Sequence, residues 1–254
     1  MNIYMPSSVV EEVEYPGNLF LQSSRCDVKV KRLQEWLNFH LCGTKIDGLF
    51  GSATKSALAK FQGNNNINAS GQLDQTTWSL LVKPMVDAMA IPASTGKSYG
   101  DVVQMIAKQH LTVRPVEIGG QNCGPWVRAY MKGHDGNNYP WCAGFVSFVL
   151  AQSAQCLGTN APLSYTFSCD DMVKDARGSG LFLGIDHSER SPLIFAKRRT
   201  STDWTHVGFC FSWESGVFVT IEGNTNDQHS REGFELAEKY RSTEEEGYDF
   251  IRIT

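Results

Sequence analysis

A turn followed by a helix is written twice in the first third of the chain, and this repeat constrains the fold more than any other feature. Asp47-Gly48-Leu49-Phe50-Gly51 leads into Thr54, Ala57, Leu58 and Phe61. The pattern returns 23 residues after Gly48 as Gly71-Gln72-Leu73-Asp74, followed by Thr77, Trp78 and Leu81. Gly48 aligns with Gly71, Phe50 with Leu73, Thr54 with Thr77 and Leu58 with Leu81. Ahead of the first copy, Val30, Leu33, Trp36, Leu37 and Leu41 recur at the spacing of one buried helix face. One helix plus two turn-helix units predicts a small three-helix domain over residues 27–83. Its glycines supply the turns, and Phe50 and Trp78 supply core.

Composition divides the rest. Residues 1–26 read as a polar leader segment. Pro84, Pro92, Ser94, Thr95, Gly96 and Ser98 mark residues 84–98 as a linker. Residues 99–254 open with helical patterns and close with short strands, an α+β arrangement. With 41% apolar and 20% charged residues, each part can bury a core. A net charge of −4 gives no basic face for phosphates, which argues against a nucleic-acid partner. No apolar run reaches the roughly 18 residues of a membrane span, so no membrane partner is expected. Met1 to Phe20 has neither a basic start nor a continuous apolar stretch, and Glu11, Glu12 and Glu14 interrupt it. The expectation is a chain made in the cytoplasm without a cleaved signal peptide. Its seven cysteines form no CxxC pair, and most read as small buried residues of a protein folded in a reducing compartment.

The repeat and its flanks resemble the peptidoglycan-binding domain attached to many bacterial and phage cell-wall hydrolases. The resemblance rests on Leu33-Gln34, Asp47-Gly48, Phe50-Gly51, Thr54, Ala57, Phe61-Gln62, Gly71, Asp74, Thr77 and Trp78. It implies peptidoglycan as partner.

Three elements of the second part carry chemistry. Pro140-Trp141-Cys142 precedes an apolar run, 143–150, that reads as a buried helix. Cys142 then falls in the first turn, where free N–H groups and the helix dipole favour a thiolate. Asp203 to Phe211 reads as a strand carrying His206, and Val217 to Glu222 as its return strand. A hairpin centred near Glu214 would set His206 directly opposite Glu222, close enough for the carboxylate to orient the imidazole. Asn224 adds a polar group at the same end of the sheet. Taken singly, each has a plainer use: a core cysteine, a buried histidine, a strand-end charge.

Together they resemble the CHAP-domain amidases and peptidases, a branch of the papain-like and NlpC/P60-like cysteine hydrolases. The matching text is Gly119-Gly120-Gln121-Asn122, Gly124-Pro125-Trp126-Val127, Pro140 to Ala143, Ser168-Cys169-Asp170, Asp203, His206-Val207-Gly208 and Thr220 to Asn226. The resemblance implies a papain-like α+β catalytic domain with a central antiparallel sheet over residues 99–254. It implies Cys142 as nucleophile, His206 as its base, Glu222 as the residue orienting His206, and Asn224 as a polar group near the reacting centre. The expected protein is a monomeric, phage endolysin-like wall hydrolase, an N-acetylmuramoyl-L-alanine amidase or a stem or cross-bridge endopeptidase, acting at the wall after release or injection. It implies no cofactor. Some members bind calcium through an acidic loop, but residues 133–138 hold one acid, Asp135, so no metal is expected. Two alternatives stand beside this reading: a cysteine amidase or acyltransferase for a small molecule, and a catalytically inactive wall-binding protein.

Overall fold

The computed structural model describes residues 3–17, 26–186, 192–226, 233–244 and 247–253. Their helices are α1 Ser7–Val13, α2 Val28–Phe39, α3 Ser52–Asn64, α4 Gln75–Ala88, α5 Tyr99–Val113, α6 Pro125–Tyr130, α7 Cys142–Leu157 and α8 Cys169–Gly178. Their strands are β1 Phe182–Gly184, β2 Leu193–Thr200, β3 Asp203–Glu214, β4 Val217–Thr225, β5 Glu235–Ser242 and β6 Tyr248–Arg252. Helices and one antiparallel sheet make the chain α+β. No described helix is long and apolar enough to cross a membrane.

The chain forms two compact units, one of Met5–Asp87 with Val116–Gly136, the other of Met1–Tyr4, Ala88–Pro115 and Asn137–Thr254. These bounds differ from the expected ones at 26, 83 and 98. Pro84 does not end α4, which runs on to Ala88. Residues 119–127, expected in the second domain, fold with the helical unit. The physical reason is long-range. Within that unit Arg128 is held by Glu12 at 2.7 Å, by Glu35, and by Asp135 at 2.8 Å. Ser8 Oγ donates to the Ala129 carbonyl, and the Trp126 ring meets Trp36 edge-on at 6.5 Å. A buried guanidinium needs such partners, and they come from α1, α2 and the 131–136 loop. Burial pushes the Glu35 carboxyl up, and the Arg128 contacts oppose the shift.

In the other unit the sheet order is β1-β6-β2-β3-β4-β5, each pair antiparallel. Leu193, Phe195, Cys210, Phe218, Tyr248 and Phe250 pack into one cluster of its core. Helix α7 is buried along most of its length, as its unbroken apolar run requires, and ends at Gly158 in the left-handed conformation. Helix α5 opens with a capping box between Ser98 and Asp101.

Candidate functional site

Helix α7 begins at Cys142 itself, with Trp141 as its N-cap. The sulfur therefore stands at a helix start whose backbone N–H groups have no intrahelical acceptor. It is buried, with 4% exposure. Gly223 lets β4 approach this point: a Cβ there would lie 2.8 Å from the Trp141 ring and 2.9 Å from Phe145 Cβ.

His206 comes from β3 and Glu222 from β4. The ring Nε2 lies 2.9 Å from Glu222 Oε2, and the Cys142 sulfur is near enough to the same imidazole for each to shift the other's hold on a proton. With Nε2 engaged by the carboxylate, Nδ1 is the nitrogen left for the sulfur. The expected register needs correction. Ser215 and Gly216, both at positive φ, form a two-residue turn that pairs Glu214 with Val217. Carried on unbroken, that register would set Phe209 opposite Glu222 and turn His206 to the other face. Instead Phe211 stands outside the ladder, between the pairs Cys210–Thr220 and Ser212–Val219. This β-bulge restores the shared face and carries the register on to Gly208 and Glu222, two residues from the expected opposition. The carboxylate reaches diagonally to His206 across Gly208. A Cβ on Gly208 would lie 2.9 Å from Glu222 Cγ and 2.7 Å from the Phe195 ring.

Glu222 is fully buried, so its charge depends on its partners. Arg241, opposite Phe218 on β5, donates from Nε to Oε1 at 2.9 Å and from Nη2 to Oε2 at 2.6 Å. Thr220 Oγ donates to Oε1 at 2.5 Å. Burial opposes the carboxylate's charge, but the His206 and Arg241 hydrogen bonds outweigh it and hold the group well below the usual carboxylate range. For His206 too, burial works against the charged form, and hydrogen bonds to Cys142 and Glu222 raise it to about 9. The Cys142 thiol is held well below its ordinary range by its contact with Cys169, against burial, with His206 adding to the effect. Its sulfur lies 3.7 Å from Cys169 Sγ. A thiolate beside an imidazolium is the form ready for nucleophilic attack.

Thus Cys142, His206 and Glu222 converge. Asn224 sits at the end of β4 with φ 53° and its Oδ1 buried without a hydrogen-bond partner among the described residues. Arg241, Thr220 and the role of Cys169 escaped the sequence reading. Arg241 left no local signal, since only strand pairing brings it to Glu222. Cys169 left one: Ser168 precedes it with Asp171 three residues on, a helix start like that of Cys142. Asp135, the single acid of the 133–138 loop, is taken up by Arg128.

The helical unit builds its duplicated turns in one way. Gln34 Oε1 accepts from Asp47 N and Gly48 N at 3.0 and 2.8 Å, and its Nε2 donates to Thr54 Oγ at 3.0 Å. Gln62 repeats this on the second copy, accepting from Gly71 N at 2.8 Å and donating to Thr77 Oγ at 3.1 Å. Gly48 and Gly71 both have φ near +70°, the left-handed region glycine adopts freely. Residues 27–81 match the family model described as "Putative peptidoglycan binding domain". The helical unit therefore contains a domain of the peptidoglycan-binding type, which suggests a cell-wall-associated protein. No curated protein and no solved structure matches the chain. Within the peptidoglycan-binding domain both clamps are structural, since each glutamine is buried and spends its amide on the turn beside it.

Proposed function

We propose that this chain hydrolyses amide bonds of peptidoglycan, as an N-acetylmuramoyl-L-alanine amidase or a stem or cross-bridge endopeptidase, on a papain-like, CHAP-type domain. The observation that supports the reading most is a cysteine at a helix start whose imidazole neighbour is held by a buried, ionised carboxylate. The peptidoglycan-binding domain supplies the substrate class. Action at the cell wall follows from the same pairing.

In the mechanism, His206 has already taken the Cys142 proton, and Glu222 holds the ring by Nε2 and stabilises its charge. The thiolate attacks the amide carbonyl. The oxyanion that develops faces the unpaired N–H groups at the start of α7, donors fixed in place before reaction. His206 then gives its proton to the leaving amine from Nδ1. A water, deprotonated by the now neutral ring, opens the thioester and frees Cys142. No step uses Asn224.

Cys142→Ala should abolish release of soluble fragments from purified sacculi while the protein still pellets with them. Mass spectrometry of the wild-type muropeptides identifies the bond cut. Unchanged fragment release by the variant would end the cysteine mechanism. Loss of pelleting by the isolated wild-type chain would remove the wall as its substrate.

A further inference from the structure

Cys169 has no step in the mechanism above, yet several contacts fix its place. It is the first residue of α8, whose N-cap Ser168 accepts from Asp171 N at 3.2 Å. The segment leading into α8 is pinned to α7, because Ser147 Oγ donates to the Thr166 carbonyl at 2.9 Å and accepts from Thr166 N at 3.1 Å. The next residue pins the same helix start to β3, where Asp170 Oδ1 accepts from Trp204 N at 2.6 Å. Cys169 is therefore fastened to the two elements that carry Cys142 and His206. Its sulfur lies 3.7 Å from that of Cys142, within reach of an S–H···S hydrogen bond, and both are buried.

We infer that Cys169 is a positioning residue for Cys142: its thiol donates S–H to the Cys142 sulfur, holding that sulfur as thiolate and fixing its direction. This rests on the reading of Cys142 as nucleophile. The direction of the bond follows from the surroundings. Both sulfurs stand at a helix start, so their other neighbours decide, and Cys142 has the His206 imidazole, which favours a negative sulfur. Cys169 has the Cys142 sulfur and the Asp170 carboxylate, both favouring a neutral one. Contact with Cys142, together with burial, pushes the Cys169 thiol well up, so the shared proton stays on Cys169. A hydrogen bond to the charged form stabilises that form. The thiolate thus has His206 on one side and a thiol donor on the other.

The test is the pH dependence of iodoacetamide alkylation at Cys142, in the full chain under phosphine reductant, with the site located by peptide mass mapping. Wild-type, Cys169→Ala and Cys169→Ser proteins are compared. In Cys169→Ala the inflection should move to higher pH, with Cys142 alkylated roughly three- to tenfold more slowly near pH 6. Cys169→Ser keeps a donor and should recover part of that loss. An unmoved profile in Cys169→Ala overturns the proposal, and so do equal shifts in both variants, which would assign the effect to packing. Alkylation needs no substrate. A profile that shifts as expected in a chain unable to hydrolyse peptidoglycan retires the proposed function and keeps the Cys169 contact. Full hydrolysis with an unmoved profile does the reverse.

Discussion

Gln34 and Gln62 are buried as deeply as Glu222, but the two units use buried polarity to opposite ends. Each glutamine is neutral and closes on the turn that follows its helix, where its donors and acceptor are used up by that turn and a threonine. Glu222 carries a charge and gathers partners from β3 and β5, one of which, His206, can gain or lose a proton. The helical unit spends buried polar groups on shape. The sheet unit spends them on a titrating pair that leads to a sulfur. Networks of the first kind should matter to stability alone, and networks of the second kind to rate.

The largest effect should come from the titrating group. His206→Ala should lower kcat/KM on a soluble muropeptide by roughly four decades, since both attack and leaving-group protonation lose their proton carrier. In the wild type the same rate should fall above pH about 9, where His206 loses its proton. The acid limb should lie below the ordinary thiol range, because Cys142 is held down. A flat alkaline limb would break the assignment of His206.

Glu222→Gln should cost roughly two to three decades in kcat/KM, because an amide still orients the ring but does not stabilise its charge. Its alkaline limb should move below pH 9, since one of the groups raising His206 is lost. Full activity in this variant would give the orienting role to another residue, with Asn224 first to be tried.

Gln62→Leu tests the other side of the comparison. It strands the Gly71 N–H and the Thr77 hydroxyl, and should destabilise the helical unit by about 2 kcal/mol in urea denaturation. Turnover of a soluble muropeptide, measured well below the unfolding midpoint, should stay within about twofold of wild type. Equal losses of stability and turnover would erase the distinction between the two kinds of network.

The helical repeat was legible because its parts are local: glycines at the turns, apolar residues at helical spacing, and a threonine in each copy. The start of α7 was legible for the same reason, as a proline, a cysteine and an apolar run in sequence. The features that escaped depend on distant pairing. Nothing near Arg128 announces Glu12 and Glu35, so residues 116–136 read as belonging with the sheet-bearing part of the chain. Arg241 meets Glu222 only through the β4–β5 register. The shared face of His206 and Glu222 was reached through a regular hairpin that the chain does not form, since a bulge reflects twist and packing rather than composition.

That bulge gives the hairpin a reserve of length. Phe211 has no opposite number on β4, so losing one residue between Phe209 and Ser212 can be absorbed by flattening the strand. The same facing pairs are then kept beyond the gap, His206 still in step with Glu222. Adding a residue there has no such outlet, and either widens the kink or throws the histidine to the far face. Over evolutionary drift this strand is thus buffered against shortening and exposed to lengthening, an asymmetry set by one supernumerary phenylalanine.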